Sequence, residues 1–124
     1  MIIGVGTDML EIDRVRKVYA RTGERFIQRI LTHNEQKELH NRIDPENYLA
    51  KQFAAKEAIA KALGTGIGQV SFQDIEILRN RKGQPQASLL NDKVKRAINC
   101  VVHLSLSDTD KVVIAFCVIE KKNE

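Results

Sequence analysis

Residues Gln52–Gly68 read QFAAKEAIAKALGTGIG, and this run decides how the chain is put together. It is rich in alanine, places Glu57 and Lys61 one helical turn apart, and stops at Gly64. Alanine is the best helix former and glycine the commonest residue just past a helix end, so the run predicts the second half of a helix. The first half begins at Asp44-Pro45. Asp44 can accept from the free amides of the first turn, and Pro45 loses nothing where an N–H would have had no partner. Leu49, Phe53, Ala60 and Leu63 follow as an apolar stripe. Ala50, Ala54, Glu57 and Lys61 fall on a neighbouring face, where the alanines leave space beside the charged pair. Past Gly64, Thr65-Gly66-Ile67-Gly68 reads as a loop whose backbone amides can approach an anion closely. Taken singly, these features also describe a surface ion pair worth a few tenths of a kcal/mol and an ordinary helix cap. Lys56 is less ordinary. It falls in the apolar stripe, where a buried stem with its ammonium at the edge would suit it.

Upstream, Ile2–Asp8 predicts a strand with Ile3, Val5 and Thr7 on one face and Gly4, Gly6 and Asp8 on the other. The glycines clear a path beside Asp8, whose carboxylate suits a metal or phosphate site, or the cap of the next helix. Glu11–Ala20 predicts that helix, with Ile12, Val15 and Tyr19 facing in. Arg14, Lys17 and Arg21 share its outer side, and Arg25 and Arg29 continue the basic run past Gly23. This is either a solvated face or a docking strip for an acidic protein helix. Phe26, Ile27, Ile30 and Leu31 form a short amphipathic segment. Thr32 and Glu35 match a capping box opening a helix to about Asn41.

Downstream of the glycine loop, Phe72–Leu78 predicts a strand, Asn80–Gly83 a turn, and Pro85 the start of a short or edge strand. Asp92–Ile98 reads as a short helix. Cys100–Ser107 and Val112–Glu120 read as two strands joined by a hairpin at Asp108–Lys111, with Cys100 and Cys117 out of register for a disulfide. The tail from Lys121 is expected to fray.

The 124 residues suit one domain, 1–124, with one core. Hydrophobic residues make up 43% and aromatics 5%, so that core is mostly aliphatic. A net charge of +4 points to an anionic ligand or acidic partner and is too mild to imply nucleic acid. No apolar run approaches the ~20 residues of a membrane span. Two cysteines without a secretion signal predict reduced thiols and a cytoplasmic home.

With the residues laid out, the chain resembles the small trimeric class of 4′-phosphopantetheinyl transferases, the holo-[acyl-carrier-protein] synthases. GVGTDMLEIDRV (Gly4–Val15) is similar to the family's G-I-G-x-D-x-x-E-I-x-R-I opening. FAAKEAIAKALGTGIG (Phe53–Gly68) is nearly identical to its signature. HLSLSDTDKVVIAFCVIE (His103–Glu120) is similar to its closing strand–turn–strand, and SFQDIEI and KGQP fit between. The resemblance implies an α+β fold, an antiparallel sheet packed against helices, in a homotrimer with active sites at subunit interfaces. It implies transfer of phosphopantetheine from coenzyme A to a serine of apo acyl carrier protein, with Mg²⁺ as cofactor and no nucleic acid or membrane involved. Asp8 and Glu57 match the metal ligands, and Lys61 the lysine that pairs with the phosphates. Gly64, Thr65 and Gly66 match the nucleotide-side loop, and Arg14 and Arg21 the carrier-docking strip. For the general base, a metal- or carboxylate-held water is one option and Glu35 a weaker one.

Two positions depart from the family pattern. Asp108 stands where a histidine is usual, and an ionised carboxylate cannot donate to a phosphate. Either it binds metal indirectly, or Lys111 supplies the missing donor. Gln52 replaces an arginine, which would weaken coenzyme A affinity. The competing readings are a basic, non-catalytic binding module for an acidic protein or RNA, and a coenzyme A-binding family member with impaired turnover. No paired stacking aromatics or zinc spacing supports RNA binding.

Overall fold

A computed structural model of the chain describes residues 1–91 and 99–122. Strand β1 (Ile2–Glu11) runs straight into helix α1 (Ile12–Thr22). Two short helices follow, α2 (Glu24–Ile30) and α3 (His33–Leu39), then the long helix α4 (Pro45–Ala62). A 3-10 turn at Phe72–Asp74 leads into β2 (Ile75–Arg79) and β3 (Pro85–Leu89), and the chain closes with β4 (Cys100–Asp108) and β5 (Val112–Lys121). One sheet has the order β1-β5-β4, all antiparallel, and β2 and β3 form a second antiparallel pair.

The ends of α4 follow the sequence reading. Asp44 accepts from the Asn47 amide at 3.1 Å, Pro45 opens the first turn, and Gly64 turns the chain away with φ of 81°. The faces do not follow it. Buried residues run nearly all round the helix, with Tyr48, Gln52 and Lys56 on one side and Ala50, Ala54 and Ala58 on another, so α4 is a core helix and not an amphipathic one. The glycines of β1 are part of the reason. A Cβ at Gly4 would sit 1.7 Å from the Ala62 carbonyl oxygen, and one at Gly6 2.0 Å from that of Ala58. Strand and helix backbones touch here, so the space left by Gly4 and Gly6 is filled by α4. The inner sheet face is completed by Val113, Ala115, Cys117 and Ile119, all fully buried. The outer face leaves Val5, Met9, Ile114 and Phe116 exposed.

Because β1 runs on to Glu11, Asp8 lies within the strand, opposite Ala115, and caps no helix. The capping box of Thr32 and Glu35 forms as expected. The expected strand at Phe72 begins instead as a 3-10 turn, because Asp74 folds back to accept from the Ser71 amide at 2.9 Å. The β4–β5 hairpin keeps its register, with Cys100 opposite Lys121 and Cys117 opposite Leu104, so the two cysteines do not face each other. Burial pushes the Cys117 thiol up to about 12. Lys121 does not fray, since its amide donates to the Met1 carbonyl at 2.8 Å. The helix read at Asp92–Ile98 and the last two residues of the tail lie outside the described residues. Among the described residues no helix is long and apolar enough to cross a membrane.

Candidate active site

Strand β1 and helix α4, packed backbone to backbone, bring together residues some fifty positions apart. Lys61 donates to the Thr7 carbonyl at 3.0 Å and lies 3.4 Å from Asp8 Oδ1. A cleft of about 380 Å³ opens beside them, with Asp8, Arg14, Glu57 and Lys61 as its charged lining. Its apolar wall includes Val15 and Val18 of α1, Phe26 of α2 and Phe53 of α4. The Phe53 ring is 6.4 Å from that of Phe26 and 5.1 Å from that of Phe72, which makes this wall a stack of rings.

The two carboxylates of the cleft are electrostatically uncomfortable. Burial raises Asp8 above the usual carboxylate range, and the hydrogen bond and charge of Lys61 only partly pull it back. Burial also raises Glu57, and the charge of Asp8 raises it further against Lys61 and Arg29. Glu57 feels the charge of Asp8 across the cleft, and among the described residues the one ion pair made by either carboxylate is that of Asp8 with Lys61. The hard oxygens of both carboxylates suit Mg²⁺, which takes one or two carboxylates and keeps several waters. Among the described residues no group of three or more His, Cys, Asp or Glu gathers to hold a metal.

Arg14 belongs both to this cleft and to the exposed side of α1 that carries Lys17 and Arg21. Arg29, at the end of α2, lies over the Phe72 ring at 5.9 Å. The basic strip and the cleft are therefore one continuous surface.

Other expectations need correcting. The amides of Thr65 and Gly66 donate to the Ala60 carbonyl at 3.2 and 3.1 Å, and that of Gly64 to Lys61 at 2.9 Å. The last helical carbonyls lack partners, and the left-handed glycines fold the chain back to supply them. Glu35 is fully buried and ion-paired to Lys56 at 2.6 Å, so it is no general base. Lys56 does not reach the edge, for its side chain is wholly enclosed. Gln52 is equally enclosed and donates to Glu35 Oε2 at 2.8 Å and the Ile77 carbonyl at 3.0 Å, a core role with no path to a coenzyme A phosphate. Asp108 takes a hydrogen bond from Asn47 at 3.0 Å and lies 3.5 Å from the Lys51 ammonium, so its own cation is Lys51. Asn47 and Lys51 are one turn apart on α4, and that spacing was the available signal for them.

The model of the 4′-phosphopantetheinyl transferase superfamily matches residues 4–117. A holo-[acyl-carrier-protein] synthase of Oceanobacillus iheyensis is 47% identical over 125 aligned positions, covering 98% of this chain and 99% of the relative. The crystal structure of the holo-[acyl-carrier-protein] synthase from Neisseria meningitidis superposes with a TM-score of 0.90 at 43% identity, over 98% of this chain and 100% of that one. The synthase from Bacillus anthracis, solved in complex with coenzyme A (3′,5′-ADP), superposes with a TM-score of 0.85 at 36% identity, over 98% and 99%.

Proposed function

The chain belongs to the holo-[acyl-carrier-protein] synthase family of 4′-phosphopantetheinyl transferases, and we propose that Asp8, Glu57 and Lys61 form its catalytic centre. The reaction moves 4′-phosphopantetheine from coenzyme A to a serine of apo acyl carrier protein. The serine oxygen forms a bond to the pantetheine-side phosphorus as the bridging pyrophosphate bond breaks. The serine loses its proton and adenosine 3′,5′-bisphosphate departs. Charge builds on the leaving phosphate, so the protein's work is positioning and charge neutralisation.

The observation that carries this reading is that Asp8 and Glu57, from distant parts of the chain, line one cleft in which Lys61 lies 3.4 Å from Asp8. Those two carboxylates would hold Mg²⁺, which when bound supplies positive charge to the pyrophosphate oxygens. Lys61 has three protons and gives two to Thr7 and Asp8, leaving one for a phosphate oxygen. Arg14 and Arg21 would steer and dock the acidic carrier. Departures at Gln52 and Asp108 lie off the cleft, one in the core and one on the sheet side of α4, so turnover is retained. Incubation with coenzyme A, Mg²⁺ and apo carrier should add the mass of phosphopantetheine to the carrier. Folded protein with a competent carrier and no mass gain would refute the reading.

The homotrimer is supported by the outer face of the sheet. Met9 pairs with Ile114 and Thr7 with Phe116, so four exposed apolar side chains, with Val5, gather on one surface of β1 and β5. Met9 also lines the cleft, which supports an active site at the edge of this face, beside a subunit interface. Phe116→Asp should convert the trimer to monomers by light scattering. Residues 1–124 are read as one domain, and two cysteines that are out of register with each other favour a cytoplasmic setting.

A further inference from the structure

Lys56 has no part in the chemistry above, yet it precedes Glu57 and is fully buried. Its ammonium gives its three protons to the Ile30 carbonyl at 2.7 Å, Glu35 Oε1 at 2.6 Å and the Phe72 carbonyl at 3.0 Å. Burial lowers it from the ordinary lysine range and Glu35 pulls it back. Ile30 is the last residue of α2, and its carbonyl has no partner within that helix.

Helix α2 has seven residues, between Gly23 with φ of 53° and an extended Leu31. A helix so short does not sustain itself and stays where its neighbours hold it. It carries Phe26, part of the cleft wall, and Arg29, whose charge bears on Glu57. Gln73 also binds carbonyls here, those of Gln28 and Leu31 at 2.6 and 2.7 Å, but from an exposed position where water competes. Lys56 makes its bond from inside the core.

We propose that Lys56 is a positioning residue for the transfer reaction, fixing α2 against the Glu57 turn of α4 through the Ile30 carbonyl. It thereby sets the Phe26 wall and the placement of Arg29 where the carrier protein docks. This rests on the family reading of the cleft. A buried ion pair of this kind specifies one arrangement more than it adds stability.

Lys56→Met alone would strand a buried Glu35 charge, so the test is the neutral pair Lys56→Met with Glu35→Gln. In native-state hydrogen exchange, amides of α2 should exchange at least about tenfold faster, with those of α4, β1 and β5 within about twofold of wild type. The KM for carrier protein should rise about tenfold while that for coenzyme A moves less than about twofold. Uniform loss of protection across α2, α4 and the sheet would overturn the proposal. So would a loosened α2 with an unchanged carrier KM. Failure of the double variant to fold would overturn it too, since the pair would then support the whole fold and not one wall. Should the wild type transfer nothing, the family reading of the cleft fails, and the exchange result still decides whether Lys56 holds α2.

Discussion

Helix α4 carries two lysine–glutamate sets that look alike in sequence and behave as opposites. Lys56 meets Glu35 inside the core, and Lys61 meets Asp8 and Glu57 at the cleft. In the buried set, Glu35 accepts from Lys56, Gln52 and the amides of Thr32 and Ile77, at 2.6 to 2.8 Å. One atom there, Gln52 Oε1, is left without a partner. In the cleft set, three charged groups share one 3.4 Å ion pair, and both carboxylates are pushed above their usual range. Charges completed by the protein hold it together, and charges left incomplete wait for a ligand.

The sharpest way to break this comparison is to remove one partner from each set. Glu35→Ala leaves the Lys56 ammonium buried without its counter-ion, which costs about 3–5 kcal/mol of stability. Chemical denaturation should show that loss, with activity falling only as the folded fraction falls. Glu57→Gln should do the reverse. It should lower kcat/KM by about 10²–10³-fold, the scale for losing a group that stabilises developing charge. It should also raise Tm at neutral pH. The sign follows from the raised folded-state value: such a carboxyl favours folding when protonated, and costs stability as pH rises through that value. Steady-state kinetics and a melting curve on the same sample test both halves, and a Glu57→Gln variant that is both active and less stable would erase the contrast.

Much of this was legible in the sequence. Asp44-Pro45 and Gly64 marked both ends of α4, Thr32 and Glu35 marked the start of α3, and the Asp108–Lys111 turn set the β4–β5 register. Asp8, Glu57 and Lys61 stand in the motifs that carry the family resemblance, and the fold brings all three to one cleft. What stayed hidden depends on contacts between distant segments. Gly4 and Gly6 read as space beside Asp8 because the helix that fills that space is some fifty residues away. Lys56 read as a residue at the edge because nothing local reveals three acceptors from α2, α3 and the 3-10 turn. Glu35 read as a candidate base because its capping role does not disclose its burial.

A weaker contrast sets the exposed arginines against the cleft. Arg14→Glu with Arg21→Glu should raise carrier KM about tenfold and leave coenzyme A KM unchanged, with the penalty shrinking as salt rises. Equal effects on both substrates would mean that the strip belongs to the nucleotide site instead.

The smallest effect is expected at Asp108, a third charge pair on the same helix and intermediate between the other two. Its carboxylate faces Lys51 at 3.5 Å, and the side chains of Lys51 and Asp108 are 28% and 36% exposed. Water reaches both, so the pair is screened, and a separation of 3.5 Å is too long for a strong charge-assisted bond. Asn47 holds the other oxygen at 3.0 Å, and that bond survives in Asp108→Asn. The substitution should therefore cost less than about 1 kcal/mol and change kcat less than about twofold. Raising the salt should erase even that difference. A loss as large as that of Glu57→Gln would place Asp108 with the incomplete charges of the cleft, reached across a subunit boundary, and would make Lys51 a ligand-facing cation and not a partner already satisfied.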